Sequence, residues 1–322
     1  MKLAFRSEQY GILTLWIMLL HLDMFFHPLL GNVYLGRIAS FGECCVDIFL
    51  FLSGYCIYSA WTRDSNYQSF IRRRVRRLVP SYLIIAIPYL IWKQWRNGTW
   101  QDSGAILHHC GNFVYDLTGL SFLLDGMSEV WFPIAILFFY LATPLLLTAL
   151  KGRKGPWVLA FSIVLVAFLI KNVPFFTRSG LLWSRLPAYL FGLLYASQGK
   201  DLNNLLHCKG IYIWIFGILL AGLICSPLIP MARSYMGDHL TRLLYLLIIL
   251  PMIALAIRVI SSLPTILQRV LGFIGEQSFE IYLVHLLLLY VVSNHGWNVW
   301  LYPACLVLSI PLAYCVRKLV GS

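Results

Sequence analysis

The chain is short of charge. Only 12% of its 322 residues are Asp, Glu, Lys or Arg, about half the share found in soluble domains. The charge it does carry is lopsided, with 13 acidic residues against 25 Lys and Arg, a formal net charge of +12. Such a composition excludes an ordinary cytosolic enzyme and a disordered chain, and it cannot present a broad basic face to a nucleic acid duplex. Eight cysteines are scattered, most within or beside apolar runs. They show neither paired metal-ligand spacing nor a disulfide framework, which excludes a small disulfide scaffold. A glycine-rich phosphate loop, a low-complexity tract and an internal repeat are all missing. His108-His109-Cys110 is a local set of ligand-type residues, but adjacent side chains diverge, so no metal site is expected. No small-residue cleavage site follows the first apolar run, which reads as a retained span rather than a signal peptide.

Apolar sequence is what the chain has in quantity, with 60% hydrophobic residues. A helix crossing a bilayer needs roughly 20 mostly apolar residues. Ten such stretches can be marked: 9–26, 44–61, 79–96, 130–149, 156–172, 183–198, 211–229, 241–259, 271–292 and 298–316. The stretch 104–124 is interrupted by His108, His109, Asn112 and Asp116 and reads as interfacial or re-entrant. With ten spans, 17 of the 25 Lys and Arg fall on one side, six of them between residues 63 and 77. The positive-inside tendency makes that side cytoplasmic, together with both termini. It puts the 97–129 segment outside, with Asp102, Asp116, Asp125 and Glu129. The expected fold is all-α: a polytopic transmembrane helix bundle of about ten spans, residues 1–322 forming one integral domain with no soluble appendage.

Ionisable side chains inside such spans cost a few kcal/mol even on mild scales, so each asks for a reason. His21 interrupts the first span. It is either a packing hydrogen bond or a general base, since imidazole titrates near neutrality and accepts a hydroxyl proton. Asp47 and Ser53 share the second span. Asp47 would orient a histidine or pair with an arginine, and Ser53-Gly54 would let helices approach closely. The loop FIRRRVRRLVP holds five arginines in six residues, either a lipid-headgroup anchor or a clamp for a phosphate-rich cytosolic cofactor. Pro80 is expected to open the next helix, where its missing N–H costs little. In 271–292, Ser278, Tyr282 and His285 fall on one helical stripe, which either lines a polar channel or glues helices together. Glu276 and Glu280 fall on another face of the same span.

Taken together these residues resemble the acyltransferase-3 family of bacterial integral membrane O-acyltransferases. The matches are His21; Val46-Asp47 through Ser53-Gly54; Arg74-Val75-Arg76-Arg77 followed by Pro80; Trp131, Phe139-Tyr140 and Pro144; Arg185, Pro187 and Gly192; and Ile281-Tyr282-Leu283 with His285. They run in order from residue 10 to residue 290. The resemblance implies a multi-pass protein of the bacterial cytoplasmic membrane that O-acylates a polysaccharide or lipid-linked glycan. It would carry an acyl group, usually acetyl, from acyl-CoA to a sugar hydroxyl. Acyl-CoA is then a donor substrate, typically acetyl-CoA, and no permanently bound cofactor is implied. The partners implied are the donor, a sugar or glycan acceptor and membrane lipid. His21 with Asp47 would be catalytic, Arg74 and Arg77 would hold the CoA phosphates, and Ser53, Trp131, Ser278, Tyr282 and His285 would line the path of the substrates. Two positions depart from the family pattern. The arginine eleven residues before the first-span histidine is Tyr10, and a glutamate of the tryptophan span is replaced at Ile136-Leu137. Arg6 lies fifteen residues before His21, about 60° from its face and one turn lower, and is the expected substitute. The competing function is a transporter that moves a glycan or lipid-linked sugar without chemistry. No matched pair of Gly/Pro-broken helices in two halves supports it.

Overall fold

The structure is a computed structural model and describes residues 3–25, 32–97, 106–126, 131–207, 210, 238–295 and 300–321. Among these residues the regular elements are all helical. In chain order they include α1 (Arg6–Phe25), α2 (Val33–Ser40), α3 (Gly42–Arg63), α4 (Tyr67–Arg96), α5 (Ile106–Leu117), α6 (Leu120–Asp125) and α7 (Trp131–Ala149). After them come α8 (Gly155–Asn172), α9 (Leu186–Ser197), α10 (Ile249–Ser262), α11 (Thr265–Glu276), α12 (Ser278–His295) and α13 (Leu301–Val320), with shorter helical segments between some of them.

Among the described residues four helical stretches are long and apolar enough to cross a membrane: Tyr67–Arg96, Trp131–Ala149, Gly152–Asn172 and Leu301–Val320. Two bent pairs raise the number to six, His239–Leu247 with α10 at 58° and α11 with Ser278–Asn294 at 73°. The expected span 211–229 lies outside the described residues. Helix α8 shows what the outer surface is made for. Trp157, Phe161, Val164 and Phe168 recur every three or four residues and are 59–78% exposed, an apolar stripe suited to lipid rather than water. Helices α1 and α3 have the opposite character. They carry Glu8, His21 and Asp23, and Glu43 and Asp47, yet thirteen α3 residues from Gly42 to Ile57 are buried. The helices with polar cargo are interior, which is where a low-dielectric solvent drives them.

Small residues set the spacing of this interior. On α3, a Cβ at Gly54 would strike the Tyr189 carbonyl oxygen, and one at Gly192 of α9 would strike the Phe51 carbonyl oxygen. The α3–α9 contact is therefore backbone against backbone, the close approach that small residues permit between membrane helices. Gly11 of α1 and Gly275 of α11 do the same for that pair, against Leu271 and Ser7.

Three local expectations are corrected. The arginine segment is not a loop, because α4 already begins at Tyr67, capped by Asn66, whose side chain accepts from the Ser69 amide at 3.0 Å. The turn before it is fixed by Asp64, which accepts from the Ser69 hydroxyl and from Arg73, both at 2.6 Å. Those bonds hold the exposed Asp64 carboxyl down at about 2, the Ser69 hydroxyl first and Arg73 next. Pro80 consequently lies inside α4 with Pro88 rather than at its start, at the cost of a main-chain hydrogen bond at each. The stretch 271–292 is not one continuous helix either. It breaks at Gln277 with the 73° bend, so Glu276 and Glu280 stand on different helices.

Candidate functional site

The arginines of α4 divide by face. Arg72, Arg73 and Arg76 are exposed, whereas Arg74 and Arg77, three residues apart, turn towards the bundle. Their partners differ. Arg74 lies 5.5 Å above the Phe70 ring and 5.8 Å from the Tyr140 ring. Arg77 donates to the Glu276 carbonyl at 3.4 Å and sits 3.8 Å from Glu280, whose carboxylate is fully buried and also accepts from Ser81 at 2.9 Å. Arg77 and Ser81 thus tie α4 to the start of α12.

Arg74 belongs to a second group. Arg6 is 5.7 Å from the Tyr10 ring, beside the position at which the sequence departs from the family pattern. The buried Ser53 lies close to the Tyr10 and Tyr140 side chains, and Cys56 lies within electrostatic reach of both Arg6 and Arg74. Helices α1, α3, α4 and α7 each supply a member of this group. Below it opens a cavity of about 660 Å³ lined by Arg6, Arg63, Tyr55, Tyr58, Ser59 and Thr62 among others. That volume lies in the range of small-molecule sites, and its two guanidiniums favour an anionic occupant. Arg63 was not singled out by sequence. Its separation from the arginine run hid it, although it follows Ser59 by one helical turn and donates to that residue's carbonyl at 3.1 Å.

Further along α1, His21 meets His285. The His21 Nδ1 is 2.9 Å from the His285 Nε2, and the His285 Nδ1 is 2.7 Å from the Ile281 carbonyl oxygen. His21 is half-buried and His285 fully buried. Tyr282 sits beside both rings, with centroids 6.5 Å from His21 and 6.0 Å from His285, and packs on Phe132 at 5.0 Å. Ser278 opens α12 and is half-buried.

Asp47 is elsewhere. It is buried and electrostatically coupled to Arg185 and Arg242, while the ring partner of His21 is His285. The Arg185 guanidinium stacks 4.7 Å from the Trp131 ring. Arg242 is 3.7 Å from Glu43, which also accepts from the Tyr245 hydroxyl at 3.0 Å. Within this buried group the Asp47 Oδ2 and the Arg185 Nε have no hydrogen-bond partner among the described residues, an arrangement that invites a polar ligand. Of the remaining sequence candidates, Ile136 is buried in the core. Glu129 and the side chains of His108 and His109 lie outside the described residues. Among the described residues no three His, Cys, Asp or Glu side chains are placed to hold a metal ion.

No curated protein and no solved structure matches the chain. One family's sequence profile does, that of the acyltransferase domain, across residues 11–318. The transport reading gives way to an enzyme on that ground. The matched region contains His21, Asp47, Ser53, the α4 arginines and the whole of α12, so nearly everything described above lies inside the family's own domain. This chain, with its lipid-suited helices, belongs to the acyltransferase family and is a membrane acyltransferase that transfers groups other than aminoacyl groups.

Proposed function

We propose that the protein O-acylates a sugar of a surface or lipid-linked glycan, taking the acyl group, acetyl in the simplest case, from acyl-CoA on the cytoplasmic face of a bacterial inner membrane. In this reading the bundle has about ten spans, with both termini and the arginine end of α4 cytoplasmic. The observation that carries the reading is the layout along α1. One end of the helix offers Arg6 to a basic cavity, and the other end holds a half-buried imidazole, about 22 Å away at 1.5 Å per residue.

The donor's phosphates bind Arg6 and Arg63, with Arg74 behind them, and its arm carries the thioester along the interior past Ser53 towards His21. The acceptor comes from the opposite side, where Trp131 gives a sugar face an aromatic platform. There Asp47 and Arg185 offer an acceptor and a donor for hydroxyl groups. His21 takes the proton of the attacking hydroxyl as its oxygen bonds to the thioester carbonyl carbon. The C–S bond then breaks, the acyl group stays on the sugar oxygen, and the CoA thiolate leaves with the proton that His21 returns.

The test supplies membranes with labelled acetyl-CoA and follows label into glycan. His21→Ala should insert normally and lose at least about 100-fold in rate, the usual scale of general-base catalysis. Undiminished labelling by that variant would remove His21 from the chemistry. Mass spectrometry of surface glycans from cells with and without the protein identifies the acceptor by a mass difference of one acyl group.

A further inference from the structure

The two histidines meet in a way that fixes where protons lie. A backbone carbonyl oxygen only accepts, so the 2.7 Å contact between the His285 Nδ1 and the Ile281 oxygen requires a proton on that nitrogen. In a neutral imidazole the Nε2 of His285 is then a bare acceptor. The His21 Nδ1, 2.9 Å away, must therefore carry the other proton and donate it. Of the four ring nitrogens, the His21 Nε2 is the one left with a free lone pair.

We infer that His285 is a positioning residue that holds His21 in its Nδ1–H tautomer, so that its Nε2 is the proton-accepting atom. The inference rests on the acyltransfer reading for its catalytic consequence. The tautomer itself stands on geometry alone. A free histidine can carry its proton on either ring nitrogen and turn about its side-chain bonds. Here the second ring opposes both, because rotation or tautomer exchange at His21 would break the 2.9 Å bond to the fully buried His285. When His21 takes the hydroxyl proton, both of its nitrogens become donors. The Nδ1–H stays bonded to His285, and the new Nε2–H points to where the leaving thiolate needs it. Tyr282 walls the pair on one side, its ring 6.5 Å from His21, and Ile281 lies one helical turn before His285 on the same helix. The device is thus built from one turn of α12 and one residue of α1.

The test combines a spectrum with kinetics. Protein labelled with ¹⁵N-histidine in lipid vesicles is compared with His21→Gln to find the His21 signals. The expected spectrum has a protonated, pyrrole-type Nδ1 and a pyridine-type Nε2 at His21. A protonated Nε2 would overturn the inference. In His285→Leu the His21 signals should lose that pattern, and kcat should fall at least about 100-fold with the donor KM unchanged, the range of a misdirected general base. His285→Gln presents a carboxamide oxygen near the position of the lost Nε2 and should recover kcat to within about tenfold of the original. An unchanged tautomer or an unchanged kcat in His285→Leu would overturn the positioning role. If that variant does not fold, the spectrum of the unsubstituted protein and the rate of His285→Gln still decide the matter. Failure of the unsubstituted protein to consume any thioester would instead sink the acyltransfer reading, while leaving the tautomer result standing.

Discussion

Arg74 and Arg77 are three residues apart and equally basic, yet their surroundings give them different work. Arg74 rests on the faces of Phe70 and Tyr140 near Cys56 and the basic cavity, so its charge is available to an anionic ligand. Arg74→Ala should raise the apparent donor KM about tenfold, the loss of one charge-assisted bond, with kcat and yield little changed. Steady-state kinetics against acetyl-CoA would show it, and an unchanged KM would remove Arg74 from the donor site. Arg77 offsets the buried Glu280 instead. Arg77→Ala removes the cation 3.8 Å from that carboxylate, which keeps its hydrogen bond from Ser81, a loss of about 2 kcal/mol. The thermal midpoint in detergent should fall, and adding Glu280→Gln should restore much of it. The sequence put both arginines in one basic loop, and the family resemblance gave them one role, holding the CoA phosphates. It could not separate them, because Glu280 approaches from a residue 203 positions later and periodicity carries no information about partners across the fold. The same holds for His21 and His285. Each stood out as an ionisable group in an apolar run, but that the second would orient the first is a fact of tertiary packing.

At the level of helices, composition identifies the runs and misses their breaks. The run 79–96 looked like a span opened by Pro80, but the Asn66 cap and the Asp64 turn start α4 earlier and leave the proline inside it. The apolar run 271–292 gave no sign of ending, since Gln277 alone is a weak stop signal. With the bend in place Gly275 presses on Ser7 and His285 meets His21. The glycines were more legible. Ser53-Gly54 read as a place where helices approach, and Gly54 does lie against the backbone of α9. Gly54→Ala and Gly192→Ala should each cost about 1–3 kcal/mol by forcing α3 and α9 apart, seen as a loss of monodisperse protein on gel filtration. Ser53→Ala, by contrast, leaves that contact intact and serves as the control. Equal stability of all three variants would mean that the two backbones do not meet there.

For the whole molecule, the distribution of charge makes a claim about sides of a membrane that one pair of positions can test. Cys110 on α5 and Arg153 in the turn before α8 are both exposed. Between the regions they occupy runs α7, a 19-residue helix with mean hydropathy 2.0 that is apolar enough to cross. At 1.5 Å per residue it is about 28 Å long, close to the thickness of the hydrocarbon core. A single crossing puts the two positions on opposite faces. The turn at Arg153 carries Lys151 and Lys154 as well, so the positive-inside tendency makes it the cytoplasmic one. In a variant whose other cysteines are replaced by alanine, a membrane-impermeant maleimide should label Cys110 in intact spheroplasts and not in sealed inverted vesicles. With Cys110 also replaced, Arg153→Cys should show the reverse. Labelling of both from one side would mean that α7 does not span, and the arginine end of α4 would then lose its claim to face the cytosolic donor. Opposite labelling with the sides exchanged would put the Arg6–Arg63 cavity on the outer face, where acyl-CoA is absent, and would require a different donor for the same fold.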